Sequence, residues 1–117
     1  MKLLLIEDDP GTIEVIRVCF EIYKPEVTII NATMGLSGIE MVKQEKPDLI
    51  ILDLGLPDIS GIEVLERVRQ LTDVPVLISS ARTEEQVQKS MEIGATDYLI
   101  KPFDPTDLLD KFDEMMK

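Results

Sequence analysis

Five short apolar runs, each followed by a stretch of helical periodicity, leave this chain few folds to choose from. The runs fall at residues 2–7, 27–31, 48–53, 76–80 and 97–100, rich in leucine, isoleucine and valine and too short for buried helices. Between the first two, residues 10–23 repeat Ile13, Ile16, Phe20 and Tyr23 at helical spacing, with Asp9 as N-cap and Pro10 at the first helical position. Further helices are expected over 36–45, over 62–71 carrying Ile62, Leu65, Val68 and Leu71, over 84–93 stopping at Gly94, and after Asp104-Pro105. Such alternation implies an α/β fold with a parallel sheet covered by helices on both faces. Right-handed crossovers put some helices on each side, so the winding reverses and leaves a crevice at the strand C-termini. The 84–93 helix has few apolar anchors and is expected to dock weakly.

Length and charge narrow the function. At 117 residues the chain suits one domain over 1–117. A formal net charge of −11 repels nucleic-acid phosphate, so no direct nucleic-acid binding is expected. No apolar run is long enough to span a bilayer, and the N-terminus lacks a signal-peptide pattern. A cytoplasmic protein without membrane association is the expectation. The lone Cys19 excludes an internal disulfide and reads as a small buried hydrophobe, and the absence of histidine removes the usual zinc sites.

The chemistry collects at the strand ends. The first run closes on Glu7-Asp8-Asp9, the third on Asp53, and the fifth on Lys101-Pro102. Parallel strands aim these tips to one side, which crowds carboxylates and an ammonium at one rim. Glu7, Asp8 and Asp53 would raise one another's pKa unless a cation sits among them. Hard oxygen ligands that leave the ion open suit Mg²⁺, which keeps waters and accepts phosphate oxygens. Asp9, directly before Pro10, reads as a helix cap instead. Lys101 sits at the rim as a mobile point charge, and Pro102 after it is a candidate for a cis peptide bond. Alternation sends Ser79 and Ser80 to opposite faces, so only one of them can address the crevice, and Ala81 leaves room for an incoming group.

These residues, taken in order, resemble the receiver domain of two-component response regulators along all 117 positions. Glu7-Asp8 resembles the family's acidic pair. Asp53, Leu56, Pro57 and Gly61 meet its D-x-x-L/M-P-x-x-x-G phosphoacceptor pattern, and Ser80-Ala81 looks like its switch hydroxyl with a small neighbour. The segment Gly94-Ala95-Thr96-Asp97-Tyr98-Leu99-Ile100-Lys101-Pro102-Phe103 is similar to the closing segment, with Tyr98 as switch aromatic and Lys101 as the family's lysine. Each motif alone is weak; five in order at matching spacing are specific. Ser80 stands where threonine is commoner, and the last helix carries Lys111 and several acids where DNA-binding classes often carry arginine.

The resemblance implies a doubly wound (βα)5 fold of flavodoxin-like strand order 2-1-3-4-5. It also implies a phosphorylation switch rather than an enzyme in the ordinary sense. A sensor histidine kinase would present phosphohistidine to Asp53. Asp8, Asp53 and the Gly55 backbone carbonyl would hold Mg²⁺, with Glu7 helping through water. Ser80 would then move toward the phosphoryl group, and Tyr98 would rotate into the vacated space. The surface between residues 80 and 111 would change for an output domain or partner protein. A phosphorylation-linked homodimer is a further expectation, through Val87, Met91 and Ile93 flanked by Arg82, Lys89 and Lys111 on one side and Asp97, Asp107 and Asp110 on the other. The chain ends at its last expected helix, as a stand-alone receiver or the first part of a longer regulator would.

Rival readings fit less well. A haloacid-dehalogenase-type phosphohydrolase resembles D-x-D at its nucleophile, whereas position 55 is glycine. A flavodoxin-like FMN module needs a hydroxyl- and glycine-rich loop after the first strand, where this chain has Glu-Asp-Asp-Pro. No G-x-x-x-x-G-K-[ST] occurs for nucleotide binding. A receiver-like scaffold that is never phosphorylated ranks below the switch, because every expected site residue is present.

Overall fold

The computed structural model describes residues 1–81 and 84–117. Strands and helices alternate along them: β1 (Lys2–Ile6), α1 (Pro10–Tyr23), β2 (Thr28–Ala32), α2 (Gly35–Glu45), β3 (Leu49–Asp53), α3 (Gly61–Leu71), β4 (Val76–Ser80), α4 (Glu84–Ile93), β5 (Asp97–Ile100) and α5 (Pro105–Met115). All strand pairs are parallel and the order is β2-β1-β3-β4-β5, the expected doubly wound arrangement.

The three inner strands β1, β3 and β4 are buried almost throughout because both of their faces are covered, while the edge strands β2 and β5 are partly exposed. Leu4, Ile6, Ile50, Leu52, Val76 and Ile78 face α2 and α3, where Ile39, Val42, Val64, Leu65 and Val68 meet them. Leu3, Leu5, Leu49, Ile51, Leu77 and Leu99 face α1 and α5 through Ile16, Cys19, Phe20, Leu108 and Phe112. Phe20 and Phe112 meet edge to face, centroids 5.1 Å apart, joining those two helices. Cys19 is buried there, as a small hydrophobe should be. No described helix is long and apolar enough to cross a membrane.

One strand is offset by a residue from its expected position. The Val27 N–H is taken by the Lys24 carbonyl in a turn, so β2 pairing starts at Thr28. It extends to Ala32, whose carbonyl accepts from Glu7 N–H at 2.9 Å.

Two glycines are demanded by geometry. A Cβ on Gly61 would lie 2.6 Å from the Asp53 carbonyl oxygen and collide with the Leu54 backbone. Glycine therefore lets α3 start against the end of the strand that carries Asp53. Gly94 follows α4 at φ +130°, beyond the reach of ordinary side chains. Its carbonyl accepts from the Arg69 guanidinium, which also binds the Thr72 and Val74 carbonyls. As expected from its composition, α4 buries little: only Val87 and Ser90 are fully covered, and the Ser90 hydroxyl is turned back onto the Val87 carbonyl at 2.6 Å.

Candidate functional site

The winding reverses between β1 and β3, because successive strands leave β1 in opposite directions. Glu7 and Asp8 follow β1 and Asp53 ends β3, so they meet at that crevice. One oxygen from each of the three carboxylates lies within 4.8 Å of the others. Glu7 is only 1% exposed and Asp53 only 6%, while Asp8 opens to solvent.

Every Glu7 oxygen has a partner. One accepts from the Asp8 and Asp9 N–H groups, both at 3.1 Å, and the other receives the Lys101 ammonium at 2.6 Å. Burial nonetheless holds the Glu7 carboxyl above its ordinary range. The Asp53 charge adds to this, against the hydrogen bonds from Lys101 and the Asp9 N–H. Asp53 Oδ1 accepts from Gly55 N–H at 3.2 Å, and Oδ2 lies 3.7 Å from the Lys101 ammonium. Lys101 itself is held where its N–H extends the sheet to the Ser80 carbonyl, and the peptide to Pro102 is cis.

Asp9 stands apart, as its place before Pro10 suggested. It caps α1, accepting from Thr12 N–H at 2.9 Å and the Thr12 hydroxyl at 2.7 Å, and these bonds hold its carboxyl below the usual range. The Asp8 carboxylate takes no hydrogen bond among the described residues. Exposed hard oxygens at Asp8, beside a buried acid pair, fit a divalent cation that keeps part of its water shell.

Residues 3–113 match the response regulator receiver domain. The chain belongs to this family. It is 40% identical over 109 residues to the transcriptional regulatory protein KdpE of Staphylococcus aureus, covering 92% of this chain and 46% of that protein. A probable C4-dicarboxylate response regulator DctR of Priestia megaterium is 39% identical over 104 residues, covering 86% and 45%. The chain thus spans about half the length of the curated relatives it matches. A solved CheY-like receiver domain from Methanospirillum hungatei superposes with a TM-score of 0.89 at 26% identity, covering 97% of this chain and 90% of the other.

Farther from the acids, the receiver's expected switch groups are set as follows. Ser80 is buried at the tip of β4, and Tyr98 on β5 is 42% exposed. The Lys111 ammonium sits 5.8 Å from the Tyr98 ring centroid and 3.0 Å from both Asp97 oxygens. Asp97 and Lys111, expected on opposite flanks of an intermolecular patch, therefore pair within the chain. Arg82, assigned to the same patch, lies outside the described residues.

Two supporting residues carried no sequence signal beyond being polar. The Asn31 amide donates to the Leu5 carbonyl at 2.8 Å and the Glu7 carbonyl at 3.4 Å, fixing the end of β1. Asp58, in the loop after Asp53, accepts from the Gly35 and Leu36 N–H groups at 2.7 and 2.9 Å. It caps α2 from a distance, since Met34 at that helix's own N-cap has no side-chain oxygen to offer.

Proposed function

We propose that residues 1–117 form one receiver domain whose Asp53 accepts a phosphoryl group from a sensor histidine kinase. The observation carrying this reading is the setting of Asp53: a nearly buried carboxylate at a strand end, 3.7 Å from an ammonium and beside two further acids. An Asp53 oxygen would form the new P–O bond as the P–N bond of phosphohistidine breaks. The departing imidazole keeps the electron pair and gains a proton.

Mg²⁺ would be held by Asp8, Asp53 and the Gly55 carbonyl, with Glu7 acting through water. When bound, the ion supplies positive charge against the transferring oxygens. Lys101 would add a second positive charge, its ammonium already standing 3.7 Å from Asp53. Ser80 would donate to a phosphoryl oxygen, and Tyr98 would turn inward. The phosphoryl group adds about two negative charges, enough to bias a two-state surface over 80–111. That surface would act on an output domain or partner protein in the cytoplasm, or on a second copy of the chain. Apart from its own phosphorylation and dephosphorylation, no turnover is proposed.

The test is incubation with acetyl phosphate and Mg²⁺, followed by intact mass measurement. One added phosphoryl group is expected on the unaltered chain and none on Asp53→Asn. Continued labelling of that variant would remove Asp53 as the acceptor.

A further inference from the structure

Ser79 is the one described residue whose buried side-chain oxygen finds no hydrogen-bond partner. It is 1% exposed, so solvent does not satisfy the hydroxyl either. An unpaired buried polar group is costly, and a leucine or valine here would have continued the apolar pattern of β4. The position of the hydroxyl points to its use. Ser79 pairs in register with Asp53 on β3 and with Leu99 on β5. In-register neighbours of parallel strands share a face, with backbones about 4.8 Å apart. Leu77 and Leu99 face α1 and α5, so Ser79 does too, next to the Asp53 side chain. Lys101, two residues beyond Leu99, lies on the same side.

We propose that Ser79 is a second hydroxyl of the phosphorylation site, which donates a hydrogen bond to the Asp53 carbonyl oxygen once the other oxygen carries a phosphoryl group. In the free domain Asp53 Oδ1 has the Gly55 N–H and Oδ2 has Lys101. Phosphorylation draws Lys101 to the phosphoryl oxygens, and the remaining acyl carbonyl oxygen, with the Gly55 N–H or the metal on one lone pair, keeps a second lone pair open to a donor. A single χ1 rotation of Ser79 supplies one without backbone movement. Ser80, on the opposite face of β4 but at its very tip, is left to the phosphoryl group itself, so both hydroxyls serve the site rather than the single one that alternation suggests. Ser79 is thus a positioning residue: it fixes the orientation of the acyl group and contributes only in the modified state.

This inference rests on Asp53 being the phosphoacceptor, and titration of the full chain with beryllofluoride and Mg²⁺ separates the two. Unaltered protein, Ser79→Ala and Ser79→Cys are compared for beryllofluoride affinity and for urea midpoint without it. Loss of one hydrogen bond predicts affinity weakened about three- to ten-fold in both variants. The midpoint of the free domain should stay level or rise in Ser79→Ala, because an unsatisfied hydroxyl has been removed. Affinity unchanged in both variants overturns the proposal, as does a weakening matched by an equal loss of free-domain stability, which marks a purely structural hydroxyl. Failure of the unaltered chain to bind beryllofluoride would instead bring down the phosphoacceptor reading beneath it.

Discussion

The Lys101 ammonium is held by Glu7 at 2.6 Å rather than by Asp53, from which it stands 3.7 Å. A buried acid thus keeps the cation parked beside the proposed acceptor without neutralising it. Replacing the lysine strands Glu7 in a site that is 1% exposed. Lys101→Met should lower stability by about 1.5–3 kcal/mol at neutral pH, the range for a hydrogen bond to a charged group. Urea unfolding across pH checks the cause. The Glu7 carboxyl is already raised from 4.5 in the folded chain, so its stabilising contribution is full below that value and lost as pH rises through the folded pKa. Without Lys101 that loss should be larger and the variant's deficit should fade on acidification. A deficit independent of pH would contradict the assignment.

The acid cluster also predicts a response to metal. Three carboxylates with oxygens within 4.8 Å repel one another. Mg²⁺ at millimolar concentration should raise the melting temperature progressively, by mass action on the folded state. Asp8→Asn should blunt that rise while leaving the metal-free domain more stable than the unaltered one. A melting temperature indifferent to Mg²⁺ in the unaltered chain would argue against a metal pocket.

Asp58 offers a third test, at acid pH. Hydrogen bonds first from Leu36 N–H, and also from Gly35 N–H, hold its carboxyl below 3.8. A lowered folded pKa contributes stability that is present above the unfolded value and lost as pH falls through the folded one. Asp58→Ala should therefore reduce the urea midpoint at neutral pH, with the difference closing in strong acid. Asp58→Asn should retain much of the cap, since asparagine also accepts from N–H groups. Equal midpoints for the alanine variant and the unaltered chain at pH 7 would dismiss the cap as a stabilising contact.

What the sequence revealed, and what it concealed, follows from the kind of contact involved. The edges of α1, β4 and α4 carry punctuation in single residues, Asp9-Pro10, Pro75 and Gly94, and they fall where expected. Glu7, Asp8, Asp53 and Lys101 could be gathered in advance because strand ends of a parallel sheet share one rim. Asn31 and Asp58 could not, since their partners are main-chain groups 22 to 26 residues away that leave no trace in side-chain pattern. The start of β2 was displaced for a similar reason, a single turn bond from Val27 N–H to Lys24. Asp97 and Lys111 differ in another way: opposite charges on separate elements suggest an intermolecular pattern, whereas a strand and a helix bring them to 3.0 Å within the chain.

That intramolecular pair shapes the last prediction. Lys111 binds Asp97 and stands over the Tyr98 ring, so it favours the outward orientation of the tyrosine. Turning Tyr98 inward must weaken the ring contact, which leaves Lys111 held by Asp97 alone and readier to exchange it for a charge on another surface. The neighbouring groove between α4 and β5, about 620 Å³ and lined by Val87, Met91, Tyr98 and Ile100 among others, supplies an apolar area beside them. A second copy about a two-fold axis would find the same charges in complementary places. Beryllofluoride with Mg²⁺ should therefore increase self-association in sedimentation runs, and amide-exchange changes should concentrate between Ser80 and Lys111. Lys111→Ala should shift exchange at β5 toward the activated pattern even without the mimic, because one brake on Tyr98 is gone. A monomer in both states would dismiss the dimer while leaving the surface open to a different partner. Exchange unaltered across 80–111 on activation would dismiss the surface itself.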